Sequence, residues 1–95
     1  MNAAIVISAD DNVATALQAL EPGQVIRAGA ATVQVSEAIP RGHKIALCAI
    51  EAGAVIVKYG SAIGHASTGI AAGAHVHVHN VASDRGRGDL AGGAR

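Results

Sequence analysis

The sequence predicts a small, mostly β domain with one short helix near its N-terminus. The chain has 95 residues, which is the size of one domain. Short runs rich in Ile and Val alternate with glycines and polar turn residues, a pattern typical of β-strands. One segment near the start differs, because its apolar residues recur at the spacing of a helix.

The elements are predicted in order along the chain. AAIVIS (3–8) is a strand, and DDNVATALQAL (10–20) is the helix, which ends before Pro22. QVIRAG and ATVQVSE form a hairpin that turns at residues 28–31. Further strands are predicted in the segments KIALCAI, AVIVKYG, SAIGHAS and AHVHVHNVA.

A short pattern recurs four times between these strands. An apolar residue is followed by two other residues and a glycine in LEPG (20–23), IPRG (39–42), IEAG (50–53) and IAAG (70–73). Glycine permits the positive φ of a tight turn, and we expect the apolar residue to enter the core. The most similar pair of segments, AIEAGAVIV (49–57) and GIAAGAHVHV (69–78), suggests two similar halves related by pseudo-symmetry.

Composition limits what the chain does. Seven basic and seven acidic residues cancel, and there is no Phe or Trp, so neither phosphate binding nor base stacking is supported and no nucleic-acid partner is expected. No apolar stretch is long enough to cross a membrane, and we expect a cytoplasmic protein. Cys48 lies in an apolar run and is predicted to be a small buried residue.

The core must be built from small aliphatic side chains, which bury less apolar area than aromatic ones. A homo-oligomer or another partner is therefore expected to add stability. After residue 82 the composition changes to Gly, Arg and Asp. We predict a domain over 1–82 and a flexible tail or linker over 83–95.

Three histidines follow one another at alternate positions near the C-terminal end. His75, His77 and His79 share one face of an extended strand, and the valines between them share the other. We expect the valines in the core and the histidines outside, where imidazoles can converge on a metal ion. A polar strand face, or acid–base or anion-binding work, are the alternatives. His43 and His65 could approach, but the sequence does not place them.

Four motifs resemble a known family. They are DNVATAL (11–17), IPRGHKIAL (39–47), AGAVIVKYGSAIGHA (52–66) and IAAGAHVHVHN (70–80). In this order they are similar to the N-terminal domain of altronate and galactarate dehydratases, and the similarity runs from about residue 5 to residue 81. The resemblance implies an SAF-type domain with a β-clip fold.

The resemblance also implies chemistry and partners. Family members remove water from a hydroxy acid with a divalent metal, Fe²⁺ first and Mn²⁺ or Zn²⁺ as alternatives. In related sulfolactate sulfo-lyases the SAF-type domain is a separate small subunit. The implied substrate is a small sugar acid or a sulfonated hydroxy acid. The implied partner is a large catalytic subunit, without which this chain is not expected to be active.

Candidate site residues come from the positions that match the family's motifs. The metal candidates are His75, His77 and His79, together with His43. Lys44 or Lys58 is assigned to neutralise a substrate carboxylate, and Asn12 or Asn80 to hydrogen-bond sugar hydroxyls. A solvated role for Lys58 and a turn-forming role for Asn80 are the structural alternatives.

Ser8 departs from the family pattern. Family members commonly carry a histidine at this place, and serine is a poorer ligand for first-row metals. If that histidine belongs to the site, this protein has either lost the activity or changed its substrate. A binding module for small acids or carbohydrates, or an assembly domain, are therefore the competing functions.

Overall fold

The computed structural model describes residues 3–83, which form nine short strands and no helix. The strands are β1 (Ala4–Ile5), β2 (Val13–Ala16), β3 (Val25–Ala28), β4 (Ala31–Gln34), β5 (Lys44–Ala46), β6 (Val55–Lys58), β7 (Ser61–Ala66), β8 (His75–Val76) and β9 (Val81–Ala82). Every pairing between these strands is antiparallel. The mostly β class is confirmed.

The strands form three small sheets. The largest has the order β1-β2-β5-β8, β3 and β4 form a separate hairpin, and the third sheet has the order β6-β7-β9. The predicted hairpin with its turn at residues 28–31 is confirmed, because Ala28 and Ala31 are register partners in β3 and β4. Two hydrophobic clusters pack around the four-stranded sheet. The first includes Ile26 of the first hairpin and the second includes Ile56 of β6.

The helix predicted at 10–20 is wrong, because this segment contains strand β2. The four-stranded sheet to which β2 belongs is covered on both faces, and this burial explains the misleading apolar spacing. Ala14 and Ile45 are register partners and belong to the first cluster. Val13 and Ala46 are also partners, but they belong to the second cluster. Successive residues of a strand face opposite sides, so a strand buried on both sides loses the alternation of apolar and polar residues. In β2 the resulting apolar spacing matches that of a helix.

The four recurrent tetrapeptides form turns, as predicted. Leu20 bridges Ile39, and Ile50 bridges Ile70, and all four side chains are buried. The four glycines have φ between 83° and 89°, a range that favours glycine. These turns therefore join the ends of each hairpin and place its first and last apolar residues in the core.

The two halves of the chain repeat one another with an offset of about 30 residues. In the first half, the N–H of Gly23 donates to the carbonyl of Val35 at 2.7 Å. In the second, the N–H of Gly53 donates to the carbonyl of Ala66 at the same distance. The hairpins β3–β4 and β6–β7 occupy equivalent places in this repeat. These halves differ from the pair suggested by the sequence, because segments 49–57 and 69–78 flank one and the same hairpin, where Ile50 bridges Ile70.

The last predicted strand is interrupted. β8 ends at Val76, residues 77–80 form a turn, and β9 follows. Val76 is fully buried, but Val78 is 82% exposed. The prediction that both valines face the core is therefore wrong for Val78, because the turn removes it from the strand.

Three other expectations concern the surface and the end of the chain. Cys48, predicted to be buried, is exposed in the bend after β5. Beyond Ser83, the tail predicted over 83–95 lies outside the described residues. The described part of the chain contains no helix with the length and apolarity to cross a membrane.

Candidate metal centre

Strand pairing brings three histidines from two parts of the chain together. His75 lies in β8, opposite Ile45 of β5. His43 immediately precedes β5, and His77 immediately follows β8. Residues at alternate positions of a strand share a face, and the antiparallel register continues to place His43 beside His77. All three imidazoles therefore lie on one face of the four-stranded sheet.

The three imidazoles are close and nearly parallel. Nδ1 of His43 lies 2.8 Å from Nε2 of His75. The rings of His43 and His77 stack with centroids 3.8 Å apart and an interplanar angle of 11°. One nitrogen of each ring lies within 4.8 Å of the other two. Two nitrogens on one tetrahedral zinc stand about 3.4 Å apart, so the three nitrogens are close enough to share one ion once the rings tilt and their lone pairs converge.

His77 carries a polar atom that residues 3–83 leave unsatisfied. Its Nδ1 is buried and has no hydrogen-bond partner within this part of the chain. A buried nitrogen without a partner is unfavourable, whereas a neutral imidazole nitrogen is a common ligand of first-row metals. The donor set therefore fits a divalent metal ion.

The pKa values of His75 and His77 lie below that of an ordinary histidine. Burial is the largest cause for both, and the charges of neighbouring histidines add to it. The charge of Lys44 lowers the pKa of His77 further, while the carboxylate of Glu37 partly opposes the shift of His75. The neutral form, which is the one that binds metal, is therefore favoured near neutral pH.

Asn80 fixes the turn that carries His77. Its side chain is buried, and Oδ1 accepts the backbone N–H of His77 at 2.9 Å. Nδ2 donates to the carbonyl of His75 at 2.9 Å. These bonds match the turn-forming alternative for Asn80, and its contact with sugar hydroxyls stays a prediction.

His79 lies outside the group of converging nitrogens. Its ring is tilted by 40° against that of His75, with the centroids 5.0 Å apart, and the residue is exposed. The third nitrogen comes instead from His43, which the sequence alone does not place. His65 lies in β7, which belongs to a different sheet.

Ser8 lies at the other end of the sheet from the histidines. It belongs to the turn at 8–11, which leads into the start of β2. His43 lies beside the end of β2, because β2 and β5 are antiparallel. A histidine in place of Ser8 would therefore not join this cluster within one chain.

Asp11 and Asn12 connect the start of β2 to the second hairpin. The amide oxygen of Asn12 accepts the N–H of Val57 at 2.8 Å, and its amide nitrogen donates to the carbonyl of Val55 at 2.9 Å. The carboxylate of Asp11 accepts the N–H of Gly60 at 2.7 Å. Both side chains thus bind backbone, and the substrate contact predicted for Asn12 stays a prediction.

The comparison with known proteins identifies the family. The family model described as the altronate/galactarate dehydratase SAF domain matches residues 2–84. The chain belongs to this family. The resemblance seen in the four sequence motifs is confirmed.

Relatives of this SAF domain differ greatly in length. Altronate dehydratase of Bacillus subtilis (strain 168) is 46% identical over 80 residues, covering 84% of this chain and 16% of the relative. Altronate dehydratase of Escherichia coli (strain K12) is 49% identical over 76 residues, covering 80% of this chain and 15% of the relative. The chain thus spans about a sixth of these relatives.

A shorter relative matches along almost all of its length. The (2R)-sulfolactate sulfo-lyase subunit alpha of Chromohalobacter salexigens is 36% identical over 88 residues, covering 85% of this chain and 94% of that subunit. The SAF domain therefore occurs both as a small part of a long enzyme and as nearly the whole of a named subunit.

Two polar residues of this SAF domain have contacts that the sequence did not suggest. Glu37 accepts the backbone N–H of His75 at 3.1 Å. Thr15 accepts a hydrogen bond from the hydroxyl of Tyr59 at 3.0 Å. Each contact joins segments that are distant along the chain, so neither periodicity nor a local motif points to it.

Proposed function

We propose that this SAF domain is part of a metal-dependent lyase that acts in the cytoplasm together with a large catalytic subunit or domain. The substrate is a sugar acid or a related hydroxy or sulfo acid. The observation that carries the proposal is the convergence of His43, His75 and His77. Support also comes from the relatives, in which this domain is a minor part of an altronate dehydratase or an alpha subunit of a sulfo-lyase.

The three histidines would hold a divalent ion, with Fe²⁺ as the first candidate and Mn²⁺ or Zn²⁺ as alternatives. When bound, such an ion would supply Lewis-acid polarisation of a substrate oxygen. Burial of His75 and His77 keeps their rings neutral and available as ligands. Asn80 acts as a positioning residue, since it fixes the backbone of His75 and His77.

Three ligands leave coordination positions open, as in catalytic rather than structural metal sites. The described residues add no carboxylate to the group of converging ligand atoms. Beside the cluster, the turn presents Val78, which is 82% exposed, and the exposed His79. We expect the large catalytic part to cover this turn and to supply the remaining ligands and the acid–base groups.

Metal binding by the full 95-residue chain tests the assignment of the ligands. Calorimetric titration with Zn²⁺, and anaerobically with Fe²⁺, should show binding that His43→Ala, His75→Ala and His77→Ala each weaken by at least about tenfold. His79→Ala is the matched control, because it removes an exposed histidine of the same turn and should change the affinity by less than about twofold. An unchanged affinity in His43→Ala, or an equal loss in His79→Ala, would contradict the assignment.

The proposed enzyme predicts that a large subunit is encoded beside this chain, and co-expression of the two tests it. We expect a stable complex that dehydrates a sugar acid or eliminates sulfite from a sulfonated acid, and no turnover by either part alone. Neither complex nor turnover would contradict the proposal. A complex whose turnover and metal content survive replacement of all three histidines by Ala would indicate an assembly domain instead.

A further inference from the structure

The two halves of the internal repeat have the same turns but differ in some side chains, and the side chains found only in the second half are not required by the fold. The hairpins β3–β4 and β6–β7 share the turns at their ends and the backbone hydrogen bonds made there, and only the second has a register shift, between Ile56 and Val57. Around the tip of the second hairpin, three positions carry large polar side chains where the first half has none. The equivalent pairs are Ala14 and Lys44, Ala28 and Lys58, and Gly29 and Tyr59.

Tyr59 has the left-handed backbone conformation that glycine, the equivalent residue of the first half, adopts without strain. Gly29 has φ 61°, and Tyr59 has φ 55°. It is the one non-glycine residue with positive φ among residues 3–83. Left-handed backbone is unfavourable for a residue with a Cβ atom, and such strain persists where a side chain is needed for function. The turn itself would be satisfied by glycine, so the fold does not account for a tyrosine there.

The tyrosine ring connects the two lysines into one surface. The Tyr59 hydroxyl donates to Oγ1 of Thr15 at 3.0 Å, and Nζ of Lys58 lies 5.1 Å from the centre of the Tyr59 ring. Thr15 is the register partner of Lys44. Lys44 is the first residue of β5 and directly follows His43, so its side chain leaves the sheet on the face opposite the histidines.

The positive charges at this surface are not neutralised within the described part of the chain. Lys44 and Lys58 have no ion pair there. The carboxylate of Asp11, the buried acid near the turn, accepts hydrogen bonds from backbone N–H groups instead. Two half-buried lysines on one surface, with no ion-pair partner among residues 3–83, are typical of a site that receives an anion.

We propose that Lys44 and Lys58, together with the hydroxyls of Tyr59 and Thr15, form a carboxylate-binding site separate from the histidine cluster. The ammonium groups pair with the carboxylate, and the hydroxyls accept or donate hydrogen bonds to groups next to it. The carboxylate belongs either to a small hydroxy acid or to an acidic side chain of another polypeptide. The site requires neither the metal nor the large catalytic part, so its test is independent of the proposed function.

The test uses the uniformly ¹⁵N-labelled 95-residue chain at constant ionic strength. One arm adds sodium altronate, and the other adds an acetylated and amidated peptide whose only charges are glutamates. Saturable shifts of the Thr15 and Tyr59 amide signals report binding. Lys44→Ala/Lys58→Ala recreates the alanines of the first half, and Arg27→Ala/Arg41→Ala removes the same charge from exposed positions elsewhere.

We expect the lysine pair variant to weaken binding by at least about tenfold and the arginine pair variant by less than about twofold. Binding of altronate alone identifies a small acid, binding of the peptide alone identifies an acidic side chain, and binding of both supports the shared carboxylate site. No saturable shift with either probe, or equal losses in the two pair variants, would overturn the proposal.

Tyr59→Gly distinguishes a binding role from a structural one. Glycine removes the strain of the left-handed turn and recreates the residue of the first half. The midpoint of thermal unfolding should therefore not fall, while carboxylate binding should weaken by about threefold or more. A fall in the midpoint with unchanged binding would mean that Tyr59 serves the fold, and the tyrosine would be removed from the site.

Discussion

Asp11 is a buried acid that the backbone keeps charged. Its carboxylate accepts the N–H groups of Ile7 at 3.1 Å, Ser8 at 3.2 Å and Gly60 at 2.7 Å. Burial raises the pKa of Asp11, but the backbone hydrogen bonds together outweigh it, so the pKa lies below that of an ordinary aspartate. The residue thus joins the turn before β2 to the tip of the second hairpin.

This arrangement predicts a loss of stability in acid. Because the folded pKa is lower than the unfolded one, the contribution of Asp11 is complete above the unfolded pKa of about 3.9. It is lost as the pH falls from there through the folded pKa. Urea unfolding between pH 7 and pH 2 should show this loss in the native chain, whereas Asp11→Asn should be less stable at pH 7 and lose less in acid. Asp10→Asn, at the exposed neighbour, is the control and should keep the native profile. An unchanged pH dependence in Asp11→Asn would contradict the assignment.

At the scale of the structural element, the two turns that end the repeats differ in how tightly their glycines are packed. Gly42 and Gly73 end the two repeats with φ of 86° and 83°. A Cβ atom added at Gly42 would meet nothing within 4 Å. At Gly73 it would overlap the carbonyl oxygen of Gln34, which belongs to the first hairpin. The second turn is therefore packed against the other half of the molecule, and the first is open.

Alanine at these two positions should have unequal effects. Gly42→Ala should lower the free energy of unfolding by about 1–2 kcal/mol, the cost of a left-handed alanine. Gly73→Ala adds a backbone clash, so we expect a loss of more than about 4 kcal/mol or failure to fold. Denaturant unfolding of both variants measures the difference. Equal losses would mean that the contact between the two halves is not required.

The strands that the sequence predicts correctly are those bounded by local turn signals. The hairpin turning at 28–31 depends on nearby glycine and on β-branched residues, and both are visible in the sequence. The apolar spacing in β2 resembles that of a helix because Val13 and Ala14 are buried on opposite faces by two different clusters. That burial depends on which elements cover the sheet, and no window of sequence contains this information.

The candidate metal centre was predictable only in part. His75 and His77 follow from alternation, but the strand stops at Val76 because the Asn80 amide stabilises a turn instead. Such local side-chain bonds compete with strand pairing. His43 enters the cluster through the pairing of β5 with β8, a long-range contact. The sequence therefore indicates that histidines form the site, but it does not indicate which histidines converge.

At the scale of the whole molecule, the two hydrophobic clusters are linked by the shared sheet. Adjacent residues of β2 enter different clusters, as do adjacent residues of β5. Neither cluster can open without breaking strands that the other requires. The two halves should therefore unfold as one unit, although each has its own hairpin.

Core truncations in the two hairpins test this coupling. Ile26 and Ile56 occupy equivalent positions and are 4% and 0% exposed. Ile26→Ala and Ile56→Ala should each lower the free energy of unfolding by about 2–5 kcal/mol. Circular dichroism and the fluorescence of Tyr59, the one tyrosine of the chain, should report the same midpoint in each variant. Midpoints that separate in Ile26→Ala would show that the halves unfold independently.

The contact between Glu37 and His75 also bears on aggregation. β8 is an edge strand of the four-stranded sheet, and free N–H groups along such an edge invite strand addition by other molecules. Side chains occupy these donors: the N–H of His75 donates to Glu37, and that of His77 donates to Asn80. The margin of the sheet beside the histidines is therefore closed to β-augmentation, and a partner must approach through side-chain contacts on the face of the cluster.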